Sequence, residues 1–242
     1  MIGQTMLAVL SNPKSQAAEA YRVLRTNLQF SSFDREIKTI VITSAIPGEG
    51  KTTTIANLAI TFAQSGSKVL LVDTDLRKPR VHKVFGLDNT KGITTLISQH
   101  ETIESCVCSI GIDNLDIICC GPIPPNPSEL IGSNAMKELI EKFKEQYDVI
   151  LFDSAPVGTV TDASILGAIC DGVILVTKSE AADIDRVKRA KEMLINVNAN
   201  ILGVVLNSIN IKNQNSYYYY QYYGEETDIQ ESSKHKKEKT KK

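Results

Sequence analysis

Short apolar runs alternate with helical repeats along most of this chain. The runs at 38–43, 68–72, 115–119, 148–152, 172–177 and 201–206 are almost unbroken in apolar residues. That pattern predicts strands buried on both faces, because strict alternation belongs to strands with one face in water. Helical patterns at about 51–65, 133–146, 161–169 and 183–196 separate most of the runs. Another spans 15–30, where Ala17, Tyr21, Leu24 and Leu28 recur at spacings of three to four. Together they predict an α/β fold with a mainly parallel sheet flanked by helices on both faces. After Asn207 the pattern stops. Residues 208–242 are polar, tyrosine-studded and then lysine-rich, which predicts a flexible tail. The expected organisation is an N-terminal segment at 1–37 with its helix, a main domain at 38–207 and the tail at 208–242.

Composition narrows the class. At 242 residues there is room for one sizeable α/β domain with appendages. A hydrophobic share of 42% and a charged share of 23% fit a soluble globular protein, and a net charge of −1 argues against nucleic acid as a partner. The longest apolar stretches end well short of the ~18 residues of a spanning helix. Residues 1–10 lack a basic n-region, so no signal peptide is expected. The five cysteines are an odd number without metal-ligand spacing and are expected to be buried free thiols in a reducing cytoplasm. Residues 234–242 hold six lysines and one glutamate. They read as a solvated end, with attraction to an anionic leaflet, at ~1 kcal/mol per basic residue, as the alternative.

The chemistry concentrates after three of the strands. Ala45-Ile46-Pro47-Gly48-Glu49-Gly50-Lys51-Thr52-Thr53 lies between a predicted strand and a predicted helix. In that context backbone N–H groups and a helix N-terminus surround phosphates, Lys51 meets their charge and the Thr52 hydroxyl serves Mg²⁺. Ala45 stands where the strict motif has its first glycine. Two further runs end in aspartate, at Asp73-Thr74-Asp75 and at Asp153. In a parallel sheet these carboxylates reach the same edge as the loop, which suggests a magnesium site of few carboxylates completed by phosphates and water. Phosphoryl transfer asks the protein mainly for charge neutralisation and an in-line nucleophile. Lys51 is therefore assigned to the β- and γ-phosphates of ATP, and Thr52 and Asp153 to the metal. Asp73 is assigned to the proton of the accepting hydroxyl and Asp75 to a second metal-side contact, with the last two roles exchangeable.

The combination resembles the bacterial tyrosine kinases. It rests on the loop at 47–52, on Val72-Asp73-Thr74-Asp75-Leu76-Arg77-Lys78-Pro79 and on Gly121-Pro122-Ile123-Pro124-Pro125-Asn126-Pro127-Ser128-Glu129-Leu130. It also includes the Glu19-x-x-Arg22-x-x-Arg25 pattern. The resemblance implies a P-loop fold of the partition-ATPase-like kind and ATP- and Mg²⁺-dependent, non-specific protein-tyrosine kinase activity. It implies a ring-shaped homo-oligomer paired through Glu19, Arg22 and Arg25, with Asn207 near adenine. It further implies the two-protein form, a cytoplasmic kinase at the inner membrane face. A membrane-anchored activator would hold it there, and the substrates would be proteins of capsular or exopolysaccharide synthesis. Six of the eight tyrosines, Tyr217, Tyr218, Tyr219, Tyr220, Tyr222 and Tyr223, fall within seven positions between polar neighbours, as phosphoacceptors would. Arg77 and Lys78 would suit an acidic or phosphorylated tail, with plain surface solvation as the alternative. Two rivals stand beside this reading. A partition- or division-type ATPase switch would carry a second lysine early in the loop, where this chain has Ile46. An ATP-binding adaptor phosphorylated by another kinase would not need the full set Lys51, Thr52, Asp73, Asp75 and Asp153.

Overall fold

The computed structural model describes residues 7–31, 36–98, 101–179 and 183–209. Its centre is a seven-stranded sheet built from β1 (Thr39–Ser44), β2 (Val69–Thr74), β3 (Val107–Ser109), β4 (Leu115–Ile118), β5 (Val149–Ser154), β6 (Gly172–Lys178) and β7 (Ile201–Asn207). The strand order is β3-β4-β2-β5-β1-β6-β7. Every pairing is parallel except β3 with β4. β1, β2 and β5 are buried at every position, which is why their sequences show no alternation.

The sheet separates two apolar clusters. One face packs Val41, Leu70, Val72, Ile150 and Phe152 against Met136, Leu139, Ile140 and Phe143 of the helix Asn134–Gln146. These four step by three, one and three, the apolar stripe of an amphipathic helix, and Ser133 caps its start by accepting from Met136 N. The opposite face packs Ile42, Leu71 and Leu151 against α3 (Lys51–Gln64). That helix is buried on nearly all sides, because α1 (Ala8–Ser11) and α2 (Gln16–Ser31) lie over it. The covering is partly polar: Val9 N donates to Asn57 Oδ1 at 3.1 Å.

One sequence expectation needs correction, and several short elements were not expected. The run at 201–206 is not buried on both faces. β7 is the last strand of the sheet, and Val204 and Leu206 are exposed. The antiparallel edge strand β3 and five helices of four or five residues, including α4 (Val81–Phe85), α5 (Ile93–Ile97) and α7 (Pro127–Ile131), give no periodic signal and were not expected. The remaining short helix, α6, spans Ile103–Cys106. The longer ones after α7 are α8 (Asn134–Gln146), α9 (Asp162–Ile169) and α10 (Ile184–Ile195). All five cysteines are free, and four of them are buried. Burial pushes the Cys119 thiol up to about 12, so it stays protonated and inert at neutral pH.

Candidate nucleotide and phosphoryl-transfer site

Strand order brings the sequence motifs together. β5 lies between β2 and β1, so Asp73 pairs in register with Asp153, and Asp153 with Ile42 of the strand that feeds the P-loop. The chain leaves β1 at Ser44 and turns through Gly48 (φ 86°) and Gly50 (φ 94°) into α3. Both angles are left-handed and suit glycine. A side chain at Gly50 would also collide with the Asn207 amide. No side chain caps α3. Its first-turn N–H groups and positive dipole end are those that hold phosphates in such loops.

The loop is braced from inside. Glu49 is 3% exposed, and its carboxylate is engaged within the fold. It accepts from Ile46 N at 3.0 Å, from Thr177 Oγ1 at 3.1 Å and from Lys178 N at 3.3 Å. Asn207 Nδ2 donates to Glu49 O at 2.9 Å. Glu49 and Asn207 thus tie the P-loop to the ends of β6 and β7. Ala45, standing in for the first motif glycine, is buried against the loop after β5: a side chain at Gly158 would strike the Ala45 carbonyl. Val157 N completes that junction by donating to Ser44 O at 2.9 Å and to Thr43 Oγ1 at 3.0 Å.

The carboxylates have distinct surroundings. Asp153 Oδ2 accepts from Thr52 Oγ1 at 2.6 Å, while Oδ1 is buried without a hydrogen-bond partner. Burial raises its carboxyl to about 6, against the lowering effects of the Lys51 charge and the Thr52 hydroxyl. Asp73 is fully buried. Its Oδ2 accepts from Arg80 N at 3.0 Å and Val81 N at 2.9 Å, and its Oδ1 from Asp75 N at 3.3 Å. Burial, followed by the Asp153 charge, holds its pKa well above the usual carboxylate range. Asp75 is 9% exposed, and only its Oδ1 accepts a backbone bond, from Lys78 N at 3.0 Å. A buried, unpartnered carboxylate oxygen beside a second carboxylate and a threonine hydroxyl is a donor set suited to a hard divalent cation.

Other expected residues fall elsewhere. The Arg77 guanidinium is held by Asp162 and remains 39% exposed, and the tail it was expected to meet lies outside the described residues. Glu19 and Arg22 pair with each other at 2.8 Å on the exposed side of α2, and Arg22 also reaches Pro13 O. Arg25 points inward and donates to Thr61 O of α3 at 3.2 Å. The six tail tyrosines and the lysine-rich end lie outside the described residues. Asp162 and Ser128 were missed by the sequence reading, although Ser128 lies inside the proline-rich motif it singled out.

A mainly parallel sheet with a P-loop and aspartates at its carboxyl edge defines a P-loop nucleotide-binding protein of the ParA type. The ParA family model, described as NUBPL iron-transfer P-loop NTPase, matches residues 36–240. The chain is 44% identical over 217 residues to the tyrosine-protein kinase YwqD of Bacillus subtilis (strain 168), covering 90% of this chain and 92% of that protein. Its structure is similar to that of the chimerical protein CapA2B2, with TM-score 0.81, 42% identity and coverage of 84% and 89%. It is also similar to the kinase domain of the Escherichia coli tyrosine kinase ETK, with TM-score 0.83, 32% identity and coverage of 87% and 83%. The chain belongs to the bacterial tyrosine-protein kinases, and its enzymatic class is protein-tyrosine phosphorylation.

Proposed function

We propose that the chain uses ATP and Mg²⁺ to phosphorylate the tyrosine cluster of a second copy of itself. The observation that carries this reading is Asp153 Oδ1, buried and unpartnered at the foot of the P-loop. Thr52 and Asp153, with Asp73 and Asp75 behind them, would hold the metal. When bound, it would neutralise charge on the β- and γ-phosphates. Lys51 opens α3 and lies close enough to Asp153 to lower its pKa, which suits it to the same phosphates. Of the aspartate pair, Asp75 is the less occupied, with one backbone bond against three at Asp73, which suits it to the tyrosine proton. Asp73 shapes the loop through its three backbone bonds. Pro47, Gly48, Glu49, Gly50 and Thr53 build the phosphate cradle, and Asn207 secures it beside the adenine end.

The test is incubation with γ-labelled ATP and Mg²⁺, with and without the cytoplasmic segment of a candidate membrane activator. Stable phosphotyrosine that disappears when Tyr217, Tyr218, Tyr219, Tyr220, Tyr222 and Tyr223 become phenylalanine supports the reading. Phosphate release without phosphotyrosine would favour the ATPase switch, and neither product the adaptor. Among the described residues no helix is long and apolar enough to cross a membrane. Location at the inner membrane face is assigned to a partner, and capsular or exopolysaccharide synthesis to the substrates, as the family resemblance implies.

The assembly is part of the proposal. The exposed Glu19–Arg22 pair would exchange partners between neighbouring copies, while Arg25 keeps α2 seated on α3. Replacing Glu19, Arg22 and Arg25 by alanine should convert a large oligomer to monomer in light scattering. Six phosphotyrosines would add roughly 9–12 negative charges per chain, within the ~8 Å screening length of one another. Phosphorylation should therefore loosen the oligomer and the phenylalanine tail should lock it. An unchanged mass across phosphorylated, dephosphorylated and phenylalanine-tailed protein would remove the tail from the assembly.

A further inference from the structure

Arg77 lies two residues beyond Asp75, on the loop that carries the proposed proton acceptor. Its Nε donates to Asp162 Oδ2 at 2.9 Å and its Nη2 to Asp162 Oδ1 at 3.1 Å. Nη2 also donates to Ser128 Oγ at 3.0 Å, and Ser128 Oγ donates to Asp162 Oδ1 at 2.7 Å. The Asp162 side chain is fully buried and that of Arg77 is 39% exposed. One buried carboxylate thus meets three donors from two other segments: the loop after β2 and the start of α7. The carboxylate itself belongs to the first residue of α9.

We propose that Asp162 and Ser128 are positioning residues for phosphoryl transfer, which anchor Arg77 and so fix the loop that carries Asp75 relative to the P-loop. The path is continuous. The loop from Asp153 to Asp162 is pinned at its midpoint to the P-loop base, through Val157 N to Ser44 O and Gly158 against Ala45 O. It ends on Asp162, which grips Arg77. Between Arg77 and Asp75, Leu76 is fully buried in the core, and Lys78 N holds Asp75 Oδ1. A two-pronged guanidinium–carboxylate contact fixes orientation as well as distance. A point charge such as a lysine ammonium fixes distance alone. Stability is a weak reason for such a pair. Desolvating a carboxylate costs several kcal/mol, and an apolar replacement of the whole pair is often neutral or stabilising. What an apolar replacement cannot supply is the aim of the Asp75 carboxylate.

The inference rests on the kinase reading, and the test keeps the two apart. Wild type, Asp162→Asn, Arg77→Lys, Ser128→Ala and the double variant Asp162→Asn/Arg77→Lys are compared as full chains. The readouts are kcat and KM for ATP in tyrosine phosphorylation, affinity for a fluorescent ADP analogue, and Tm. Asp162→Asn and Arg77→Lys should each lower kcat by about 10–100-fold, the cost of misplacing a reacting group by about an ångström. ADP affinity measured without Mg²⁺ should stay within about twofold, because the P-loop and Lys51 are untouched. The double variant should be no worse than the poorer single variant, since both cut one linkage. Ser128→Ala should fall between these and wild type. If Asp162→Asn fails to fold, Arg77→Lys decides, because the Arg77 side chain is part-exposed. An unchanged kcat in folded Arg77→Lys overturns the proposal, and so does a parallel loss of kcat and Mg²⁺-free ADP affinity. Absence of phosphotyrosine in the wild type with its activator would instead count against the kinase reading itself.

Discussion

Lys51→Met should reduce phosphotyrosine formation by about 10³-fold or more, the scale of losing a preorganised charge at a transferring phosphoryl group. The fold should survive. Lys51 is 8% exposed and opens α3, but it belongs to neither apolar cluster. Methionine keeps most of its stem and volume. The ammonium is surrounded by function: it is the largest influence lowering the Asp153 pKa. Its loss should therefore make Asp153 harder to ionise and weaken Mg²⁺-dependent nucleotide binding as well as transfer. Phosphotyrosine blotting with the activator present, paired with a thermal melt, checks both halves. Phosphotyrosine above a tenth of wild type in a folded variant would remove Lys51 from the chemistry.

The strands could be read because burial on both faces leaves a continuous apolar run, as in β2 and β5. Their order could not. That Asp73 and Asp153 stand side by side follows from β5 lying between β2 and β1, and no local pattern in the sequence encodes that neighbour choice. The P-loop was legible from Gly48, Gly50, Lys51 and Thr52, yet the direction of the Glu49 side chain was not. Its partner Thr177 is 128 residues away. The same limit hid Asp162, which is 85 residues from Arg77 and reads locally as one more acidic residue starting a helix. Asp73 shows a further kind of gap. Its position after a strand marked it as a site residue, but the backbone N–H groups of Arg80 and Val81 that occupy its carboxylate depend on how the chain turns into α4. β7 was misread as doubly buried because an edge strand can be as apolar as a central one.

Asp153→Asn should separate stability from activity. In the folded protein burial lifts the Asp153 carboxyl from 3.8 to about 6. Between those values the unfolded chain has released the proton and the folded chain still holds it. Folding stability from this group therefore falls as pH rises through the window and stays low above about 6. Asp73, also raised by burial, acts in the same direction. Asparagine carries no charge to desolvate. Its carbonyl can still accept from Thr52 Oγ1, while its amide replaces an oxygen that has no hydrogen-bond partner. Without nucleotide, Asp153→Asn should gain stability relative to wild type as pH rises from about 4 through about 6, read in urea titrations. Its Mg²⁺-dependent ADP affinity and its phosphotyrosine yield should fall by about 10²-fold or more, because the anionic oxygen left for a cation is gone. Wild type should show the complementary behaviour, losing Mg²⁺-dependent binding as pH drops below about 6 and Asp153 takes up its proton. Identical magnesium titrations for the two proteins at pH 7.5 would take Asp153 out of the metal site. A wild-type stability that does not decline between pH 4 and 7, relative to Asp153→Asn, would show that burial does not raise its carboxyl in the folded protein.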